Sequence, residues 1–201
     1  MGRSGTVTAV LLVLLTCLAV NEARGEDREV RRQTRVMEKV FDTAMIESEN
    51  ALVTRGENTQ GVYLEGYGVV FTLEFSFVDR KSRKLIEMLD DLDSLKVYWE
   101  EMIGLSKEGG PLAQQRREQL DHVREELIGI LIGYGSTLSF LQPSEVVTVV
   151  AFPWEDAWDV SPAPVRNMTI RAKAGDLRAY GEDRIQEEEM KKRLEIVEVT
   201  R

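Results

Sequence analysis

Four segments of the chain have the apolar patterns of β-strands. From Val69 to Phe77 every second residue is apolar, which predicts a strand with one buried face and one wetter face. The valine-rich segment Glu145–Phe152 is too short for a typical helix and predicts a central strand. Met168–Ala172 suggests a third strand, and Leu194–Val199 could add a final extended segment.

Other segments have apolar residues at steps of three and four, which predicts helices. The first is expected over Glu26–Leu52. Ser82–Leu105 and Leu112–Tyr134 each have one apolar stripe, with a Gly-Gly-Pro break between them, so they predict an antiparallel helical hairpin. A short helical turn is expected at Asp176–Tyr180, and a helix at Glu187–Arg193 has three acid–base pairs four residues apart.

The order of these elements predicts an α+β fold with two layers. We expect a small, largely antiparallel sheet of about three strands. One face of this sheet would be covered by the helical hairpin and by the N-terminal helix. The last two strands are joined by a loop of about fifteen residues, which permits an antiparallel pair.

The N-terminal residues have the pattern of a signal peptide. Arg3 precedes an apolar run from Val7 to Val20, which is shorter than the roughly 20 residues that a membrane-spanning helix needs. Ala23 and Gly25 then provide the small residues for cleavage before Glu26. We therefore divide the chain into a signal peptide, 1–25, and a single α+β domain, 26–201. The loosest packing of that domain is expected in residues 26–60, the N-terminal helix and the turn region after it.

A second interpretation of the N-terminus leaves the protein attached to a membrane. Leu14-Leu15-Thr16-Cys17 loosely matches a lipoprotein signal, although the residue before the lipid-bearing cysteine is normally Gly or Ala. An uncleaved membrane anchor is another alternative. The sequence thus favours an exported protein, periplasmic or extracellular, with a tether through the N-terminus as the less favoured outcome.

The composition excludes several classes of function. The chain has 201 residues, 35 acidic and 26 basic, and its net charge is −9. This charge repels phosphate backbones and anionic lipid headgroups, so we expect no nucleic-acid partner and no strong membrane-surface binding apart from the signal segment. Cys17 is the single cysteine and is lost on cleavage, which leaves the mature domain without disulfides, thiolate metal sites or a cysteine nucleophile.

Residues that could carry catalysis or bind a metal have simpler explanations. The single histidine, His122, lies on the charged face of its predicted helix and is expected to be solvated. Asp90, Asp91 and Asp93 would diverge around a helix and lack the spacing of a calcium loop. Gly66-Tyr67-Gly68 lacks the spacing of a phosphate-binding loop and predicts a bulge or bend. We therefore predict no catalytic residue, metal site or cofactor.

The loop after the central strand is the best candidate for a ligand-binding site. It has Trp154, Glu155, Asp156 and Trp158 just beyond the end of a buried strand, where many binding sites lie. Aromatic planes beside carboxylates could bind a sugar or a peptide, and two carboxylates could act as acid and base in glycoside hydrolysis. The alternative, which we favour, is that the tryptophans cover the sheet edge and the acids are solvated.

Three segments together resemble a group of uncharacterised exported bacterial proteins. They are Tyr63–Phe71 (YLEGYGVVF), Pro143–Val149 (PSEVVTV) and the tail from Asp176 to Lys192. The resemblance covers most of the predicted mature chain and implies a location in the bacterial envelope. It implies no activity, cofactor or catalytic residue.

The sequence leaves two functions open. The leading hypothesis is a non-enzymatic envelope protein, a binding or scaffolding module whose partner is an unknown protein or glycan. The alternative is a carboxylate-using hydrolase or a carbohydrate-binding domain centred on the loop from Trp154 to Trp158.

Overall fold

The computed structural model describes residues 27–53, 58–77, 111–154 and 164–200. In chain order, the elements are α1 (27–46), β1 (Ala51–Leu52), β2 (Gln60–Leu64), β3 (Gly68–Phe77), α2 (Pro111–Tyr134), β4 (Val146–Pro153), β5 (Val165–Lys173), α3 (Ala174–Gly181), α4 (Glu187–Lys192) and β6 (Glu195–Thr200). A short 3-10 helix, Gly135–Thr137, follows α2. The fold is α+β, as the sequence predicts.

The six strands form one mixed sheet, which corrects the prediction of about three largely antiparallel strands. The order is β1-β3-β4-β5-β6, and β2 also pairs with β3. β3 and β4 run parallel, whereas the other pairs are antiparallel. The parallel pair follows from the connection between these strands, because parallel neighbours need a crossover and α2 lies within it.

A tight turn joins β2 to β3, where the sequence predicts a bulge or bend. The Tyr67 N–H donates to the Leu64 carbonyl oxygen at 3.0 Å, and Gly66 has a φ of +76° at the third position of this turn. The chain therefore reverses, and Leu64 pairs with Gly68. A glycine with a positive φ is compatible with a bend within a strand and with a turn that reverses the chain, so the sequence alone does not distinguish the two.

The core lies between one face of the sheet and the helices. From Val69 to Phe77 the odd-numbered side chains of β3 are buried, and matching positions of β4 and β5 join them. α1 packs on this face, since the rings of Phe41 and Phe71 lie 5.4 Å apart. α2 is buried on several sides after Leu127, as its sequence predicts.

Polar side chains tie α1 to the sheet. Glu38 accepts a hydrogen bond from the Gly61 N–H at 2.7 Å, and Asp42 accepts one from the Thr59 N–H at 2.8 Å. These carboxylates bind backbone donors beside β2 at its free edge. Together with the buried Phe41, they fix α1 against the sheet.

Several predictions lie outside the described residues. They are the first helix of the hairpin, Ser82–Leu105, with its three aspartates; the signal segment with Cys17, Ala23 and Gly25; and Glu155, Asp156 and Trp158. Among the helices that are described, none is long and apolar enough to cross a membrane.

Candidate functional site

No described helix packs on the face of the sheet opposite the core, and we call this face the outer face. Each described helix contributes to the core on the other side. The described residues include twelve exposed large hydrophobic side chains, and eight of them lie on the outer face or in the turn beside it. These eight are Leu52, Val62, Leu64, Tyr67, Phe152, Trp154, Val197 and Val199. Contiguous exposed apolar patches often mark interaction surfaces in soluble proteins.

One part of the outer face, near the carboxyl ends of β3 and β4, forms a groove. It consists of two adjoining cavities of about 420 and 400 Å³, which share Asn58 and Glu74. We call it the Trp154 groove and define it by the residues that line its open surface: Leu52, Asn58, Gln60, Thr72, Glu74, Ser76, Phe152 and Trp154. The groove extends along the outer face towards the carboxyl ends of the parallel strands β3 and β4, beyond which ligands of open α/β sheets commonly bind.

Strand pairing brings these residues together from distant parts of the chain. Glu74 pairs with Phe152 across the parallel ladder, and Gln60 pairs with Thr72 across the β2–β3 ladder. Paired residues project from the same side of a sheet, so all four belong to the outer face. The groove therefore exists only in the folded sheet.

The two aromatic residues of the groove follow one another along one strand. The Trp154 N–H donates to the Phe75 carbonyl oxygen at 2.6 Å, which extends the β3–β4 pairing beyond Pro153. Phe152 and Trp154 are two positions apart, about 7 Å along an extended strand, and project from the same face. The Trp154 side chain is 54% exposed and that of Phe152 is 37% exposed.

The polar groups of the groove retain free hydrogen-bonding capacity, and one of them, Asn58, is held in place. Asn58 donates through its side-chain nitrogen to the Glu74 backbone oxygen at 2.5 Å, which leaves the Asn58 amide oxygen available as an acceptor. The carboxylate of Glu74 makes no hydrogen bond or ion pair with a described residue. The exposed amide of Gln60 is also without a partner among the described residues. A ligand in the groove thus meets carboxylate and amide groups beside aromatic planes.

The structure places Trp154 in the groove, exposed to solvent. For Trp154, this exposure differs from the favoured expectation that the tryptophans of this loop cover the sheet edge. Glu155, Asp156 and Trp158 are outside the described residues, so they add nothing to this geometry. His122 is exposed on α2, as its charged helix face predicts.

Sequence reasoning missed Asn58, Gln60, Glu74 and Phe152 as site residues. The alternation in β3 did place Glu74 on a wetter face, and Phe152 is an exposed aromatic residue in a strand predicted to be central and buried. Neither residue belongs to a recognisable motif. Only the pairing of three strands shows that they meet.

A buried carboxylate elsewhere has a structural role. Glu145 is 4% exposed and accepts hydrogen bonds from the Tyr63 hydroxyl at 3.0 Å and the Gln142 N–H at 2.6 Å. Both carboxylate oxygens are therefore engaged. Burial, followed by the bond to Glu145, raises the pKa of Tyr63. This pair anchors the connection between α2 and β4 to the β2 strand.

The same connection is held from two other elements. Arg178 of α3 donates to the backbone oxygens of Ser139 and Leu141, and Gln33 of α1 exchanges two hydrogen bonds with Ser139, each of 2.8 Å. Within the described ranges, no group of three or more His, Cys, Asp or Glu side chains could hold a metal ion.

Comparison of the chain with family models, with curated proteins and with solved structures finds no match.

Proposed function

We propose that this protein is an exported, non-enzymatic binding module of the cell envelope, and that the Trp154 groove is its binding site. The observation that carries the proposal is the exposure of Trp154 and Phe152 on one face of the sheet, beside a carboxylate with no partner among the described residues. Exposed aromatic residues around a concave surface are typical of binding sites.

The described residues of the groove have the chemistry of a binding surface, whereas Glu155 and Asp156 of the hydrolase alternative lie outside the described residues. Glycoside hydrolysis by acid–base catalysis commonly uses two carboxyl groups about 5 to 10 Å apart. Among the described residues that line the groove, Glu74 alone has a carboxylate. A single exposed carboxylate can accept hydrogen bonds from a ligand, but it supplies only one half of that pair.

The location in the envelope rests on the N-terminal sequence. A signal peptide cleaved after Gly25 would release a domain without cysteine, and the resemblance to exported bacterial proteins agrees with this location. Retention of the N-terminal segment, or lipidation at Cys17, would tether the same groove to a membrane. Either form presents the groove outside the cytoplasm.

Co-sedimentation with purified cell-envelope fragments from the native host tests the proposal. We expect the protein to bind the fragments and leave their composition unchanged. Trp154→Ala should weaken binding at least about tenfold, as is usual for an aromatic residue at the centre of a contact. Tyr134→Ala is the matched control, because Tyr134 is a 51% exposed aromatic residue on α2, away from the groove.

Equal binding by the wild type and Trp154→Ala would show that the groove is not the binding site. Degradation of the fragments by the wild type would instead support the hydrolase alternative. Loss of binding in both Trp154→Ala and Tyr134→Ala, with the fold intact, would point to a nonspecific hydrophobic effect and would also contradict the proposal.

A further inference from the structure

The groove has an aromatic side and a polar side. One wall is aromatic, formed by Phe152 and Trp154, and the other is polar, formed by Asn58, Gln60 and Glu74. A ligand that fills it must present an apolar face and a hydrogen-bonding rim. Pyranose sugars have this character, because their C–H groups form apolar faces and their hydroxyl groups project around the ring.

We propose that the ligand of the Trp154 groove is a neutral saccharide chain of at least two linked rings. This inference rests on the proposed function and specifies the chemical class of its ligand. The C–H face of a sugar would pack on the Trp154 indole, whose π face is electron-rich and attracts the slightly positive C–H groups. Hydroxyl groups would meet the free acceptors of Glu74 and Asn58 and the amide of Gln60.

The arrangement of the aromatic rings favours a sugar over an organic cation. An aromatic cage for a quaternary ammonium group surrounds the cation with rings on several sides. Phe152 and Trp154 instead project from the same face of one strand, so they can contact a ligand from one side only. Contact from one side suits a flat, extended ligand.

Charge favours a neutral ligand over an acidic one. The Glu74 carboxylate lies where the two cavities meet, and the protein as a whole has a net charge of −9. No basic side chain is among the described residues that line the two cavities. A uronic acid or a phosphate-bearing polymer would therefore be repelled.

The size of the groove favours a chain over a single sugar. The two cavities, of about 420 and 400 Å³, adjoin through Asn58 and Glu74. Each is within the usual range of a small-molecule site, so together they exceed what one small ring needs. The sugar rings would follow the direction from Leu52 and Trp154 towards Gln60 and Phe152.

Titration calorimetry of the purified full-length protein tests the inference. The ligands are oligomers of N-acetylglucosamine and of glucose, from monomer to hexamer, with oligomers of galacturonic acid as the acidic series. We expect at least one neutral series to bind with an affinity that rises from the monomer to the dimer or trimer and then levels off. The acidic series should bind at least about fivefold more weakly at low salt.

Three variants sharpen the test. Trp154→Ala should weaken binding of the neutral oligomers at least about tenfold, whereas Tyr134→Ala should leave it unchanged. Glu74→Gln keeps an acceptor but removes the charge, so it should reduce discrimination against the acidic series. Circular dichroism of each variant confirms that the fold is retained.

The outcomes separate this inference from the proposed function. If envelope fragments bind in a Trp154-dependent way but no neutral oligomer binds at millimolar concentration, the groove is a binding site and the saccharide inference is wrong. Equal affinity for neutral and acidic oligomers would also overturn it. If protease treatment of the fragments abolishes binding, the partner is a protein and the inference is again wrong.

Discussion

Alanine at Gly68 should destabilise the protein far more than alanine at Gly66, two residues earlier. Both glycines have a positive φ, +129° for Gly68 and +76° for Gly66. A Cβ on Gly66 would meet no atom within 4 Å. A Cβ on Gly68 would overlap the Val146 carbonyl oxygen and lie 2.7 Å from the Val146 nitrogen.

The two substitutions therefore differ in mechanism as well as in magnitude. Gly66→Ala adds only the strain of a left-handed backbone, about 1–2 kcal/mol. Gly68→Ala adds strain of about 1–3 kcal/mol and also pushes β3 away from β4, at a further cost of about 1–3 kcal/mol. A total of about 2–6 kcal/mol is a large part of the 5–15 kcal/mol that typically stabilises a domain.

Urea unfolding followed by circular dichroism measures the difference. With a slope of about 2 kcal/mol per molar urea, a loss of 3 kcal/mol lowers the midpoint by about 1.5 M. If the Gly68→Ala variant does not fold and the Gly66→Ala variant does, the result agrees with a steric clash at Gly68. If Gly68→Ala lowers the free energy of unfolding by the same amount as Gly66→Ala, or by less, then β3 and β4 do not approach as closely at Gly68 as the structure shows.

Three further predictions follow from the core, the polar anchor and the N-terminus. Phe41→Ala removes a fully buried ring that packs against Phe71 and should lower the free energy of unfolding by about 3–5 kcal/mol in the same assay. Because the pKa of Tyr63 is raised in the fold, the free energy of unfolding should decline as pH rises above the ordinary tyrosine pKa of about 10. Tyr63→Phe should flatten that decline, and an identical pH dependence in the wild type and the variant would contradict this prediction. The intact mass of the protein from its native host should correspond to a chain that begins at Glu26. A mass that corresponds to a start at lipidated Cys17 or at Met1 would contradict cleavage after Gly25 and would indicate a tethered protein.

The sequence predicts the elements of this fold better than their pairing. The strand Val69–Phe77 and the helix Leu112–Tyr134 were both expected within one residue of their observed bounds, because each has a long periodic pattern. β1 has only two residues and β2 alternates weakly, so neither has a pattern of its own. The parallel alignment of β3 with β4 depends on a crossover, which no local pattern encodes.

Of the residues that line the Trp154 groove, the sequence indicated only Trp154 as a possible binding residue. Most of its neighbours in the groove come from other strands, and the strand register alone brings Glu74 beside Phe152. The valine-rich pattern of β4 concealed Phe152, because a strand that is apolar at most positions does not show which face is exposed. A site built on a sheet face is therefore harder to predict than one formed by a single loop.

The parallel pair at the centre of the sheet also has a consequence for the time at which the chain folds. Tyr67 and Thr148, joined by a 3.0 Å hydrogen bond beside this pair, are 81 residues apart in sequence. β3 and β4 cannot pair until both strands have been synthesised, and pairings between distant segments form slowly. The sheet therefore stays incomplete while the first half of the chain is synthesised, a state that the proposed export through a membrane channel would require.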